Sequence, residues 1–185
     1  MRPIFTIHAG EYVFGEAFQK RFPKADLWVP AKDKGTDFLI TEPSLSEPIS
    51  VQVKMSKDYS KTQAIDSFEK SRKAGGWFTF SHDKIANSPA QIWTIVLIST
   101  ARTAKPVFIN IRPEVLLGNL CKVHGKQKSY NVYPWLMEIN SKIVCVEGRS
   151  LKEPERNNLA DGGPIPDGRD WTQHYENWEI FGIPE

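Results

Sequence analysis

The stretch that most limits how this chain can fold is QIWTIVLIST, residues 91 to 100. A half-exposed strand alternates apolar and polar side chains, whereas an apolar run of this kind marks a central strand covered on both faces. Covering both faces takes a layer of structure on each side of a sheet. The helical segments elsewhere in the chain make that an α/β arrangement around a mixed sheet. At 185 residues the chain suits one domain with its own core.

Other elements fall around that strand. Gly10 to Phe22 reads as a helix whose apolar face carries Phe14, Ala17 and Phe18, and Pro23 helps to end it. Leu27 to Val29 is a short strand closed by Pro30. A hairpin follows, with strands Asp37–Thr41 and Ile49–Met55. Residues 60 to 74 predict a weakly amphipathic helix stopped by Gly75 and Gly76. Trp77–Phe80 and Pro106–Ile111 read as strands, Pro113 opens a short helix, and Lys142–Glu147 is a late strand. Residues 150 to 169, rich in Gly, Pro and Asp, predict an exposed loop. Arg169 to Phe181 predicts a final helix capped by Asp170, with Trp171, Tyr175 and Trp178 docked on the core.

The chemistry-bearing residues cluster in the first third. Residues two apart in a strand share a face. Ile49, Val51, Val53 and Met55 therefore make one apolar face, and Ser50, Gln52 and Lys54 the other. Alternation of this kind is also what a hairpin with one solvated face displays. Asp37 opens the neighbouring strand after Gly35, which permits a tight turn, so its carboxylate can reach Gln52 and Lys54. Glu11 lies three residues before Phe14 and seven before Phe18, on the stripe that faces the core. It is either a first-turn acid favoured by the helix dipole or a second carboxylate aimed at the pocket of Asp37 and Gln52. Two carboxylates, an amide oxygen and an ammonium would suit a hard cation such as Mg²⁺ or Mn²⁺.

In this order, Glu11 in GEYVFGEAF, Asp37 in KGTDFLI, and Gln52 and Lys54 in VQVK resemble the PD-(D/E)XK nuclease superfamily of restriction, resolvase and repair nucleases. The resemblance spans roughly Gly10 to Thr100. Thr36 stands where the family has proline, and Gln52 where it usually has Glu or Asp, which keeps an oxygen ligand and removes a charge. The resemblance implies a restriction-endonuclease-like core of order αβββαβ over about residues 10–111, with an extension over about 112–185 packed on it in a single domain. It implies a Mg²⁺-dependent endonuclease, with Mn²⁺ as a substitute, that hydrolyses DNA phosphodiester bonds. Asp37 would be the central metal ligand, joined by the Gln52 side-chain oxygen, the Val53 backbone carbonyl and Glu11. Lys54 would orient the attacking water. Cutting both strands commonly calls for two active sites, which leaves room for a homodimer. A nuclease fold that binds nucleic acid or assembles without catalysis is the second reading, and another Mg²⁺-dependent phosphoryl-transfer enzyme acting on nucleotides is the third.

Elsewhere the sequence is plainer. Lys plus Arg number 24 against 22 for Asp plus Glu, so a basic surface for DNA must be local. Lys57 and Lys61, directly after the motif, are the candidates for phosphate contacts, although such a run also reads as a solvated helix face. His8, near Glu11, could line the same pocket, although a local hydrogen-bonding role is the plainer reading, and the four histidines have no zinc-like spacing. Cys121 and Cys145 form no CxxC pair, and Cys145 in KIVCVE reads as a core residue. With no signal peptide and no apolar run near eighteen residues, a cytoplasmic protein without a membrane partner is expected.

Overall fold

The structure, a computed structural model, describes residues 7–32, 34–57, 71–98 and 105–184, with the backbone but not the side chain of Lys57. It is an α/β fold. Helix α1 (Ala9–Arg21) leads to strands β1 (Asp26–Trp28), β2 (Phe38–Thr41) and β3 (Ile49–Lys57). Then come β4 (Arg72–Gly75), β5 (Phe78–Ser81), helix α2 (His82–Ala86), β6 (Ile92–Ile98), β7 (Val107–Ile111) and helix α3 (Pro113–His124). Strands β8 (Ser129–Val132), β9 (Pro134–Ile139) and β10 (Lys142–Glu147), helix α4 (Glu153–Ala160) and two 3-10 turns (Thr172–His174, Glu179–Phe181) complete it.

The central sheet has five strands in the order β1-β2-β3-β6-β7. It is mixed: β3 and β6 run parallel, with Gln52 opposite Trp93, Lys54 opposite Ile95 and Ser56 opposite Leu97, and the other pairs are antiparallel. Ile92 to Leu97 are all buried because β6 is covered on both sides. On one side Phe14, Phe18 and Phe22 pack on Val51, Val53, Val96 and Phe108, joined by Trp178 and Phe181 from the C-terminal end. On the other side Trp93, Ile95 and Leu97 meet Phe78, Phe80, Leu116 and Trp171. Two smaller sheets, β10-β9-β4 and β5-β8, adjoin this second side. Among the described residues, no helix is long and apolar enough to cross a membrane.

Three expectations change. Of the helix expected over residues 60 to 74, residues 60–70 lie outside the described residues, and Arg72 to Gly75 form β4. Ala74 and Gly75 pair with Leu136 and Trp135, so a neighbouring strand overrides the helical preference of RKA. The expected loop at 150 to 169 contains α4. The Lys152 N–H donates to Glu155 at 2.7 Å, Pro154 sits in the first turn where its missing N–H costs nothing, and Leu159 is buried against Met137, Ile139 and Val146. The expected final helix is instead two 3-10 turns. Glu176, at φ +49°, turns the chain onto the edge of β7, where the Phe108 N–H donates to its carboxylate at 3.0 Å and its own N–H donates to the Phe108 carbonyl at 2.8 Å. Asp170 still caps locally, accepting the Thr172 N–H at 2.9 Å. The aromatic residues dock on the core as expected, although Trp171 and Trp178 reach opposite sides of the sheet.

Candidate active site

The site forms where β2 stops and β3 continues. The last ladder bond on that side runs from the Asp37 N–H to the Val51 carbonyl, at 2.8 Å. Gly35, at φ +87°, then turns the chain away before Thr36 can pair with Val53. Among the described residues no strand pairs with Val53 on that side, and an unsatisfied buried amide is costly. Asp37 supplies the acceptor: its Oδ2 takes the Val53 N–H at 2.6 Å and also the side-chain N–H of Gln52. Amide and carbonyl of one strand residue point to the same edge, so the Val53 carbonyl faces this gap as well.

Helix α1 closes the gap from the other side. A Cβ on Gly10 would lie 2.5 Å from Met55 Cβ, so only glycine lets the start of α1 come this close to β3. The next residue, Glu11, joins His8, Asp37, Gln52, Val53 and Lys54 around a cavity of about 740 Å³. Both sequence readings of Glu11 are present in its surroundings. Its Oε2 accepts the His8 N–H at 3.1 Å, as a helix cap does, and it lines the cavity with Asp37. Burial raises its pKa above the usual carboxylate value and the charge of Asp37 adds to the rise, while the His8 N–H and the Lys54 charge oppose it.

The face of β3 that carries Gln52 is partly covered, with Ser50 and Lys54 half-buried. Gln52 and Ser56 are each 6% exposed, whereas Met55, assigned by alternation to the apolar face, is 38% exposed. The Lys54 ammonium stands 5.8 Å from the centre of the Trp93 ring, and the Trp93 N–H donates to Ser88 at 2.8 Å, which fixes that ring.

The donors fit a hard divalent cation. Two carboxylates held close enough for one to raise the other's pKa gain from a positive charge between them, and both are oxygen ligands of the kind Mg²⁺ takes. Gln52 presents its nitrogen to Asp37 and its Oε1 toward Gly35. A half-turn of the amide brings the oxygen to the carboxylates. Among the described residues, no three His, Cys, Asp or Glu side chains come together. A metal here would therefore rest on two carboxylates and neutral oxygens.

Glu11, Asp37, Gln52 and Lys54 thus meet at one cavity. Lys61 and the Lys57 side chain lie outside the described residues. Lys34, Lys84 and Trp93 are not part of the motif and also line the cavity. Lys34 adjoins the Gly35 turn, and Lys84 sits on α2, whose start is held by Ser81 accepting the Lys84 N–H at 3.4 Å. Nothing local in the sequence marks Lys84 and Trp93, because α2 and β6 bring them in from about thirty to forty residues beyond the hairpin. A scan against family models, a search of characterised proteins and a search of solved structures each return no match.

Proposed function

We propose that this cavity is the active site of a metal-dependent endonuclease of the PD-(D/E)XK type that hydrolyses DNA phosphodiester bonds. The observation that carries the reading is the convergence of Glu11, Asp37, Gln52 and Lys54 on one cavity at the edge of β3, where β2 ends. A bound Mg²⁺ or Mn²⁺ would supply a polarised phosphoryl oxygen and a more acidic water, held by Asp37, the Val53 carbonyl, Glu11 and the turned Gln52 oxygen.

The chain's own residues do the rest. Lys54, packed over Trp93, holds its ammonium at the cavity wall, where it stabilises negative charge building on the phosphate and orients the attacking water. Lys34 and Lys84 attract the adjoining phosphates from the rim. Asp37 keeps the strand edge and the donor group in one geometry by bonding Val53 and Gln52 at once.

The test is nicking of supercoiled plasmid with Mg²⁺, Mn²⁺ or EDTA. Nicking with either metal, absent in EDTA and reduced about 10²- to 10³-fold in Lys54→Ala, is the expected result. A second reading is a nuclease fold that binds nucleic acid without cutting it. The hydrogen bond from Gln52 to Asp37 favours it, because it engages the central carboxylate with a neutral donor. DNA binding by wild type with no nicking under any metal would select that reading.

A further inference from the structure

A second cleft opens farther along the same side of the sheet. It holds about 220 Å³ and is lined by Arg72, Gly75, Gly76, Trp77, Tyr133 and Trp135. Three of these six are aromatic, and the charged one is an arginine. Its walls are set. The guanidinium of Arg72 lies 5.7 Å from the centre of the Trp135 ring, and Gly75 gives that ring room, since a Cβ there would come within 2.9 Å of it. The guanidinium of Arg149 stacks on Tyr133 at 5.0 Å and donates to its hydroxyl at 2.6 Å. Trp77 forms the outer lip, edge-on to Tyr133 with ring centres 6.3 Å apart, and 52% of it is exposed.

An exposed tryptophan beside two arginine-backed rings suits a flat, electron-rich ring attached to an anion. The volume lies below the roughly 300 to 1,000 Å³ usual for drug-sized ligands, which limits the occupant to about one ring system. The cleft is tied to the Lys54 cavity by the backbone: the Trp77 N–H donates at 3.0 Å to Ser56 on β3. Ser56 shares a strand face with Gln52 and Lys54. At about 3.3 Å per residue it lies roughly 7 Å beyond Lys54 and roughly 13 Å beyond Gln52, or about two to four stacked nucleotide steps.

We infer that this cleft is a stacking site for an unpaired base of the DNA strand that passes the Lys54 cavity, so that the preferred substrate is single-stranded or carries a single-stranded branch. The inference rests on the nuclease reading of that cavity. A base inside a duplex is stacked on its neighbours and cannot enter, whereas an unpaired one trades solvent for Trp77.

The experiment is fluorescence anisotropy of labelled oligothymidylate in EDTA, alone or annealed to oligoadenylate, with wild type, Trp77→Ala and Trp77→Phe. The half-exposed position of Trp77 lets both variants fold. Wild type binds the single strand more tightly than the duplex, Trp77→Ala weakens single-strand binding roughly tenfold or more with duplex binding unchanged, and Trp77→Phe restores most of it. Equal single-strand binding by wild type and Trp77→Ala overturns the inference, as does a Trp77→Phe protein as weak as the Ala variant. Metal-dependent nicking of the single strand and of plasmid by the same proteins keeps the two readings apart. Nicking with single-strand binding indifferent to Trp77 removes the stacking site and leaves the nuclease. Single-strand binding that depends on Trp77 without nicking supports the stacking site and removes the nuclease.

Discussion

Asp37 holds two jobs that the same geometry serves. It satisfies the amide of Val53 where β2 has turned away, and it faces Glu11 across a cavity. The cost falls on Glu11, whose pKa is raised by burial first and by Asp37 after it. A carboxyl whose folded pKa is raised contributes stability that is complete below its unfolded value and lost as pH rises through the folded one. Without metal, Glu11 therefore destabilises the protein near neutral pH. The Glu11→Gln variant is expected to melt higher than wild type in EDTA at about pH 8, with the gap closing near pH 4, and to gain less than wild type from added Mg²⁺. Thermal scans at the two pH values check this, and a lower melting temperature for Glu11→Gln in EDTA at the higher pH would contradict it. At this scale the sequence was informative where spacing sets direction. Strand alternation put Gln52 and Lys54 on one side, and helix periodicity turned Glu11 inward. It did not reveal that Gln52 is buried, because its neighbours include Trp93, opposite it on β6 and far along the chain.

At the scale of elements, the seam between α1 and β3 positions the site. Phe14 and Phe18 bury fully against β3 and its neighbours, and Gly10 lets the first turn of α1 approach Met55. A Gly10→Ala methyl would meet the Met55 Cβ, which cannot swing aside as the tip of a long side chain can. The expected cost is about 1–3 kcal/mol of stability. A drop in cleavage of roughly 10²-fold is expected from displacement of Glu11, and urea unfolding together with nicking rates would measure the two. Stability and cleavage both at wild-type levels would show that α1 does not set the position of Glu11. Elements with strong local signals were legible: α1, β3, β6, β7, α3 and β10 lie within a few residues of where periodicity and proline placed them. Those that failed are the ones decided by partners. Arg72 to Gly75 became a strand because β9 was there to pair with it, and β9 itself carried no clear signal of its own. The C-terminal tail left the helical path because Glu176 found the edge of β7.

On the scale of the whole molecule, the central sheet carries a core on each side, and the C-terminal segment touches both. Buried Glu147 ties that segment down. Its carboxylate accepts the N–H groups of Tyr133 at 3.2 Å and Arg149 at 2.9 Å, and the guanidinium of Arg169 at 2.9 Å. Burial outweighs these donors and lifts its pKa to about 7. The stability it contributes is thus complete below the ordinary carboxylate value and declines as pH rises through about 7. Wild type is expected to lose stability relative to Glu147→Gln between about pH 5 and pH 8, as read by urea unfolding at several pH values. A difference that stays constant over that range would contradict this account of Glu147.

Whether the cavity at the edge of β3 carries the chemistry is decided by single-turnover cleavage of plasmid DNA by wild type and Asp37→Ala across a Mg²⁺ titration. Cleavage by wild type is expected to rise with Mg²⁺ and saturate, with none above background from Asp37→Ala at any Mg²⁺ level. Cleavage by Asp37→Ala at the wild-type rate would mean that the chemistry happens elsewhere and that Asp37 serves only to hold the strand edge.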